Sequence, residues 1–263
     1  MPTFSAQAQQ TADSTTLAAE EGASLIIPGD HVIRDNDLRD LAIIDAIDLT
    51  IASAADRLDE EGGEFDRFSS TTEFEYEGVE YEGGSRLTIR NMDGPDGTNL
   101  DYSTFGYWVA DFDAQGGNPA FSRLTGFALG MATPISEVPT AGSATYLGEM
   151  GGLYSEGAGS SVEAKGSLEM TASFGVPSIE GKIVDITAGG ENLRDIEFVS
   201  SMTVDGTFTG DAVTLAPELD QTGPAMSGAY IGNLFGPTAE EVAGAFVVEG
   251  DNAVLVGGFA GAR

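Results

Sequence analysis

Glu240 and Glu241, a carboxylate pair just behind the Gly236-Pro237 turn, are the residues best placed for chemistry. A glycosidic bond is cleaved by two carboxyl groups about 5–10 Å apart, one acting as acid and the other as base or nucleophile. Adjacent residues on a strand point to opposite faces, so this pair would not share one substrate, and capping of the turn after Pro237 is the structural alternative. Nucleophilic catalysis lacks its parts. There is no Gly-x-Ser-x-Gly elbow, and a Ser-His-Asp triad would have to use His31, the one histidine, in the turn-like Pro28-Gly29-Asp30-His31. Gly181-Lys182 is followed by Ile183 rather than Ser or Thr and has no glycine five positions earlier, so it is not a phosphate-binding loop. For calcium, Asp111, Asp113, Gly116, Gly117 and Asn118 offer hard oxygens around glycines, and Asp93 and Asp96 flank a second such turn. Both lack the ligand set of an EF-hand loop and read as solvated acidic loops, so no metal site is expected.

Composition narrows the partners. The chain has 263 residues, 43 acidic against 11 basic, for a net charge of −32. Nucleic acid and anionic membrane both require clustered Lys or Arg, so neither is expected as a partner. An evenly spread negative surface keeps a protein soluble. There is no cysteine, which removes disulfides, thiolate chemistry and a lipid-modified N-terminal cysteine. Residues 1–10 have neither the positive region nor the apolar core of a secretory signal peptide. No apolar run approaches the roughly 20 residues that span a bilayer, so no direct membrane insertion is expected.

The elements that would carry these residues change along the chain. Residues 1–24 are rich in Ala, Ser, Thr and Gln and read as a flexible leader. Leu41, Ile44, Ile47, Ile51, Ala55 and Leu58 recur at intervals of three and four, which predicts one amphipathic helix after Asp35, stopped by Gly62-Gly63. From Phe65 to Phe127 short alternating segments predict strands, with a turn at Asp93–Gly97 and a β-prone aromatic stretch over 100–110. Pro134, Pro139 and Gly142 mark a boundary. Beyond it, eight strand-like runs lie near 143–154, 162–174, 178–187, 195–203, 206–214, 225–235, 239–249 and 252–260. Short, glycine-rich and closely joined, they predict an up-and-down antiparallel barrel.

The final runs carry a resemblance. Leu234-Phe235-Gly236-Pro237-Thr238-Ala239-Glu240-Glu241-Val242-Ala243-Gly244-Ala245-Phe246, with the ending Phe259-Ala260-Gly261-Ala262-Arg263, resembles the closing strands of the barrels of transferrin-binding-protein-B-like surface proteins of Gram-negative bacteria. Ala243 stands where that family has glycine. Thr140–Gly148 is similar to the strand that opens such barrels, and Phe105-Gly106-Tyr107-Trp108 to the last strand before the linker.

The resemblance implies a mainly β protein: a leader over 1–24, a β-rich handle with one helix over 25–135, and an eight-stranded barrel over 140–263. It implies a non-enzymatic outer-membrane, cell-surface or secreted solute-binding protein that takes a protein or a small iron-bearing ligand on handle and barrel loops. No cofactor is expected. Haem is the ligand with identifiable donors, since His31, Tyr102, Tyr107, Tyr146, Tyr154 and Tyr230 have side chains able to ligate iron. Tyr102, Tyr107 and Trp108 are the candidate ligand-binding residues, as an exposed aromatic anchor, with handle core as the alternative. Rival readings are a structural or adhesive module of a surface layer, filament or virus-like particle, in which the chain self-associates, and a carboxylate-dependent glycosidase.

Overall fold

A computed structural model describes residues 23–26, 31–34, 65–76, 79–90, 100–114, 121–157 and 161–263. Its regular elements are all strands, gathered into two antiparallel sheets. The first holds β1 (Ala23–Ile26), β2 (His31–Arg34), β3 (Phe65–Tyr76), β4 (Val79–Arg90), β5 (Ser103–Ala114) and β6 (Phe121–Met131). Its order is β1-β6-β5-β4-β3, with β2 also on β6. β1 takes one end of β6 and β2 the other. The expected turn at His31 is a strand start, because the β-branched Val32 and Ile33 that follow it extend the chain along β6. The expected helix over 35–58 and the turn over 93–97 lie outside the described residues, as does the leader up to residue 22.

The short strands expected after Phe65 merge into longer ones. β3 and β4 pair without a break from Phe65↔Arg90 to Tyr76↔Val79, and Thr71 and Thr72 lie opposite Gly84 and Gly83. A glycine pair weakens a strand without ending it when its partners are β-branched.

The second sheet is a closed barrel. β7 (Ser143–Glu156), β8 (Val162–Ser173), β9 (Ser178–Ala188), β11 (Ile196–Ser201), β12 (Phe208–Thr214), β13 (Met226–Phe235), β14 (Glu241–Gly250) and β15 (Ala253–Ala262) form its wall, while β10 (Glu191–Asn192) is a two-residue spur on β9. Pairing of β15 with β7 and of β8 with β9 closes the ring, so no wall strand is left as an edge. The eight expected runs coincide with these eight strands. A bulge sits where β8 meets β9, with Gly166 opposite two residues, one of them Asp185 at φ 54°. Such an extra residue sharpens the local coiling that a small barrel requires.

Side chains fill the interior. Tyr146, Met170, Ile179, Ile183, Phe198, Tyr230, Phe246 and Phe259 are fully buried in one core. At its centre Phe198 stacks on Tyr230 at 4.6 Å and on Phe259 at 5.5 Å, while Phe246 lies 5.9 Å away. These ring contacts fill the middle of the barrel with packed side chains. The exterior away from the first sheet carries charge instead: Glu169, Glu180 and Lys182 are exposed on β8 and β9. A membrane-spanning barrel has the opposite arrangement, with an apolar outside and a polar inside.

The first sheet lies across one side of this barrel. Phe105, Leu124, Tyr107, Val109 and Ala128 from β5 and β6 pack on Leu153 of β7, Ala243 of β14, and Val254, Val256 and Ala260 of β15. Backbones touch where side chains are missing. A Cβ on Gly126 would stand 2.1 Å from the Gly257 carbonyl oxygen, so only glycine permits this approach.

Candidate functional site

The Glu240-Glu241 pair divides as strand geometry requires. The turn from β13 to β14 uses Gly236 at φ 86° and Ala239 at φ 66°. Within it, the Glu240 carboxylate accepts the Thr238 amide and hydroxyl, each at 2.7 Å. Desolvation would raise the Glu240 pKa, but these bonds and the nearby Arg263 charge outweigh it and hold the group below the usual carboxylate range. Arg263 also donates to the Thr238 carbonyl at 3.0 Å, tying the last strand to the turn.

Glu241 points the other way, into the seam between the two sheets, and is 2 % exposed. Its carboxylate accepts the Asp101 and Tyr102 amides and the Ser103 hydroxyl, the last at 2.6 Å. Burial pushes its pKa up and the hydrogen bonds only partly offset this. So Glu240 caps its own turn, whereas Glu241 caps the chain leading into β5. The two carboxylates therefore face different surroundings, one in the turn and one in the seam, and do not share one space for a substrate.

Two further charged contacts join the sheets. The Arg90 Nε, buried at the end of β4, donates to the Glu149 carboxylate on β7, while the Arg90 guanidinium lies 5.8 Å from the Phe65 ring centre. Arg67 on β3 pairs with Glu163 on β8 at 3.1 Å in partly exposed surroundings. Sequence reasoning missed all three contacts. The available signal was a charge in an otherwise unbroken apolar run, as Glu241 is before Val242-Ala243-Gly244-Ala245-Phe246.

The aromatic candidates occupy different environments. Tyr107 and Trp108 are each 5 % exposed, on opposite faces of β5. Tyr107 faces the barrel in the cluster with Leu153 and Val256, and burial lifts its pKa to about 12. Tyr102 is half-buried at the seam, where a Cβ on Gly236 would come within 2.7 Å of its ring. The three do not converge on one surface.

The tyrosines considered for iron are committed to packing. Tyr146 is fully buried and donates to the Ala239 carbonyl at 2.9 Å, and Tyr154 donates to Glu156 at 2.9 Å. Burial pushes both pKa values up to about 12, which opposes the phenolate that a metal would bind. Tyr230 is fully buried in the central stack, and burial raises its pKa too. His31 opens β2, opposite Leu124. Among the described residues no group of three or more His, Cys, Asp or Glu could hold a metal ion. Asp111 and Asp113 lie on β5, and residues 115–120 are outside the described set.

With the barrel filled, its accessible features are the outer wall and two rims of loops. One rim is covered by residues 215–225, pinned to 191–195 by Thr222 N to Asn192 O at 2.7 Å and Arg194 Nε to Gly223 O at 3.0 Å. Glu156, Glu191, Asp195, Glu218, Asp220 and Asp251 surround it. The other rim carries the turns after β8, β11 and β13 together with the linker that enters β7.

Comparison with known proteins agrees with this architecture. Residues 138–263, just under half of the chain, match the family described as C-lobe and N-lobe beta barrels of Tf-binding protein B. That segment is an eight-stranded barrel of this type, as the residues from Leu234 to Phe246 led one to expect. A mutant form of Transferrin Binding Protein B from Haemophilus parasuis is 20 % identical, with a TM-score of 0.50, and the match covers 90 % of this chain and 45 % of that one. A double mutant from the same organism is 17 % identical at 0.50, covering 83 % and 39 %. At these identities the likeness is one of fold. The N-lobe domain of lactoferrin binding protein B from Moraxella bovis is 16 % identical, with a TM-score of 0.42, and the match covers 92 % and 98 %. The chain spans less than half the length of the Haemophilus parasuis chains it matches. Comparison with curated protein sequences gives no match.

Proposed function

We propose that this protein is a non-enzymatic binding protein of the cell surface or extracellular space, which recognises an iron-carrier protein of the transferrin or lactoferrin kind on its outer surface. The handle would comprise residues 25–135 and the barrel 140–263. The observation that carries the reading is the filled barrel: a stack of Phe198, Tyr230, Phe246 and Phe259 leaves recognition to loops and walls. A rigid scaffold with short loops suits docking of a large partner, since little conformational entropy is lost on binding. The barrel match to Tf-binding protein B and the fold likeness to Transferrin Binding Protein B supply the class of partner. Tyr102, the accessible member of the aromatic trio, is the site residue this reading retains for contact with a partner.

The test is biolayer interferometry of the immobilised protein against iron-loaded transferrin and lactoferrin. Saturable binding of either, insensitive to which face is immobilised in its stoichiometry, is the expected result. No binding of either carrier at tens of micromolar would overturn it, and ordered arrays in electron micrographs would then favour the structural module.

A further inference from the structure

Antiparallel alternation places the β8–β9, β11–β12 and β13–β14 turns and the linker before β7 at one end of the barrel. Main-chain hydrogen bonds run from one to the next around this rim. Thr133 N donates to Leu234 O at 2.9 Å, Leu234 N to Gly206 O at 3.3 Å, Met202 N to Pro177 O at 3.2 Å and Phe174 N to Gly142 O at 2.9 Å. Beneath them Val138, Phe174 and Met202 are buried and close the barrel mouth. Above them the branched aliphatics are out in water: Ile135 is 63 % exposed, Val176 80 % and Val204 75 %.

The Val204 tip is held rather than loose. The Thr203 hydroxyl donates to the Thr207 carbonyl at 2.8 Å, and Asp205 accepts the Thr207 amide at 3.2 Å, which fixes Val204 at the apex of its turn. The charges here are Asp101, Glu137, Asp205, Glu240 and Arg263, fewer carboxylates than the six of the acidic collar on the opposite rim. An aliphatic side chain on a bound loop cannot fold back to shelter itself, so its hydration cost persists until a partner covers it.

We propose that this rim, with Ile135, Val176 and Val204 as its contacts, is a docking surface for a partner protein that presents an uncharged apolar face. The rim's low charge complements such a face, and a second copy is disfavoured because each brings a net charge of −32. The proposal rests on the functional reading only in taking the partner to be a protein.

A phage-displayed random peptide library selected on the wild-type protein tests the rim independently of any iron carrier. Enriched peptides are expected to be apolar with few charges. Their affinity should fall at least tenfold on I135S/V176S/V204S, and equally in direction on V176S/V204S should the triple variant lose its native circular dichroism. L219S, at the opposite rim, should bind as wild type does. Enriched peptides that bind the rim variants unchanged, or that are mainly basic, overturn the proposal. A wild-type dimer in sedimentation velocity that the rim variant abolishes overturns the choice of occupant. If transferrin and lactoferrin both fail to bind, the functional reading falls while the peptide result still decides the rim.

Discussion

β9 and β15 belong to the same barrel, yet one alternates buried and exposed residues along its length whereas the other is buried at nine successive positions. The difference is the first sheet. β9 has water outside and an aromatic core inside, so its outward residues are Glu180, Lys182 and Thr187. β15 has the same core inside but β5 and β6 outside, so its outward residues are Val254, Val256 and Ala260, and glycine where backbones meet. One fold thus contains a wall built to be wet and a wall built to be covered, and the first sheet packs on the barrel through the covered one.

The strongest way to break that contrast is steric. Gly126→Val places a Cβ 2.1 Å from the Gly257 oxygen in the covered wall. Backbone cannot yield there cheaply, so a loss of about 4 kcal/mol or failure to fold is expected in chemical denaturation. Gly175→Ala, in the β8–β9 turn with nothing within 4 Å, should change stability by less than about 0.5 kcal/mol.

Next in size are the buried charges. Glu241→Ala leaves the Asp101 and Tyr102 amides and the Ser103 hydroxyl without their acceptor and should cost about 2–4 kcal/mol. Glu180→Ala on the wet wall should fall within about 0.5 kcal/mol. Equal effects in urea unfolding would erase the distinction between the walls.

Alkaline titration compares the lumen with the seam. Tyr146 in the core and Tyr107 at the seam are both raised by burial from 10.0 to about 12. The unfolded chain ionises first, so the stability these groups contribute is complete below pH 10 and is lost as pH rises from 10 to about 12. The loss should reach roughly 2–3 kcal/mol for each tyrosine, and the corresponding Phe variants should each flatten it. A tyrosinate signal at pH 10 that the corresponding Phe variant removes while the circular dichroism stays native would show that ring to be open to water.

The smallest effect belongs to the seam's rim. A double-mutant cycle on Arg67 and Glu163, both partly exposed, should give about 0.2–1 kcal/mol, declining with added salt.

How far these features were legible depends on where their causes lie. Alternation along β8 and β9 is local, so the wet wall and its strands could be read directly. The run Phe105-Gly106-Tyr107-Trp108-Val109 was readable as a strand, but not the burial of all three of its aromatics, which leaves Tyr107 and Trp108 in the core alternative rather than as an exposed anchor. β1 and β2 were hidden because four residues each hold too little pattern, and their identity comes from pairing with β6 about a hundred positions away. Glu241 was readable as a charge near a turn, but its donors at 101–103 approach it only through the docking of one sheet on the other.

The central claim, that recognition occurs on the outside of a protein with a filled barrel, is tested most directly by hydrogen exchange with and without saturating iron-loaded transferrin or lactoferrin. The account predicts added protection in a rim of loops, including 134–138, 174–177 and 202–207, and none in the interior strand segments around Phe198 and Phe259. Unchanged exchange with both carriers, or protection confined to those interior segments, would contradict it.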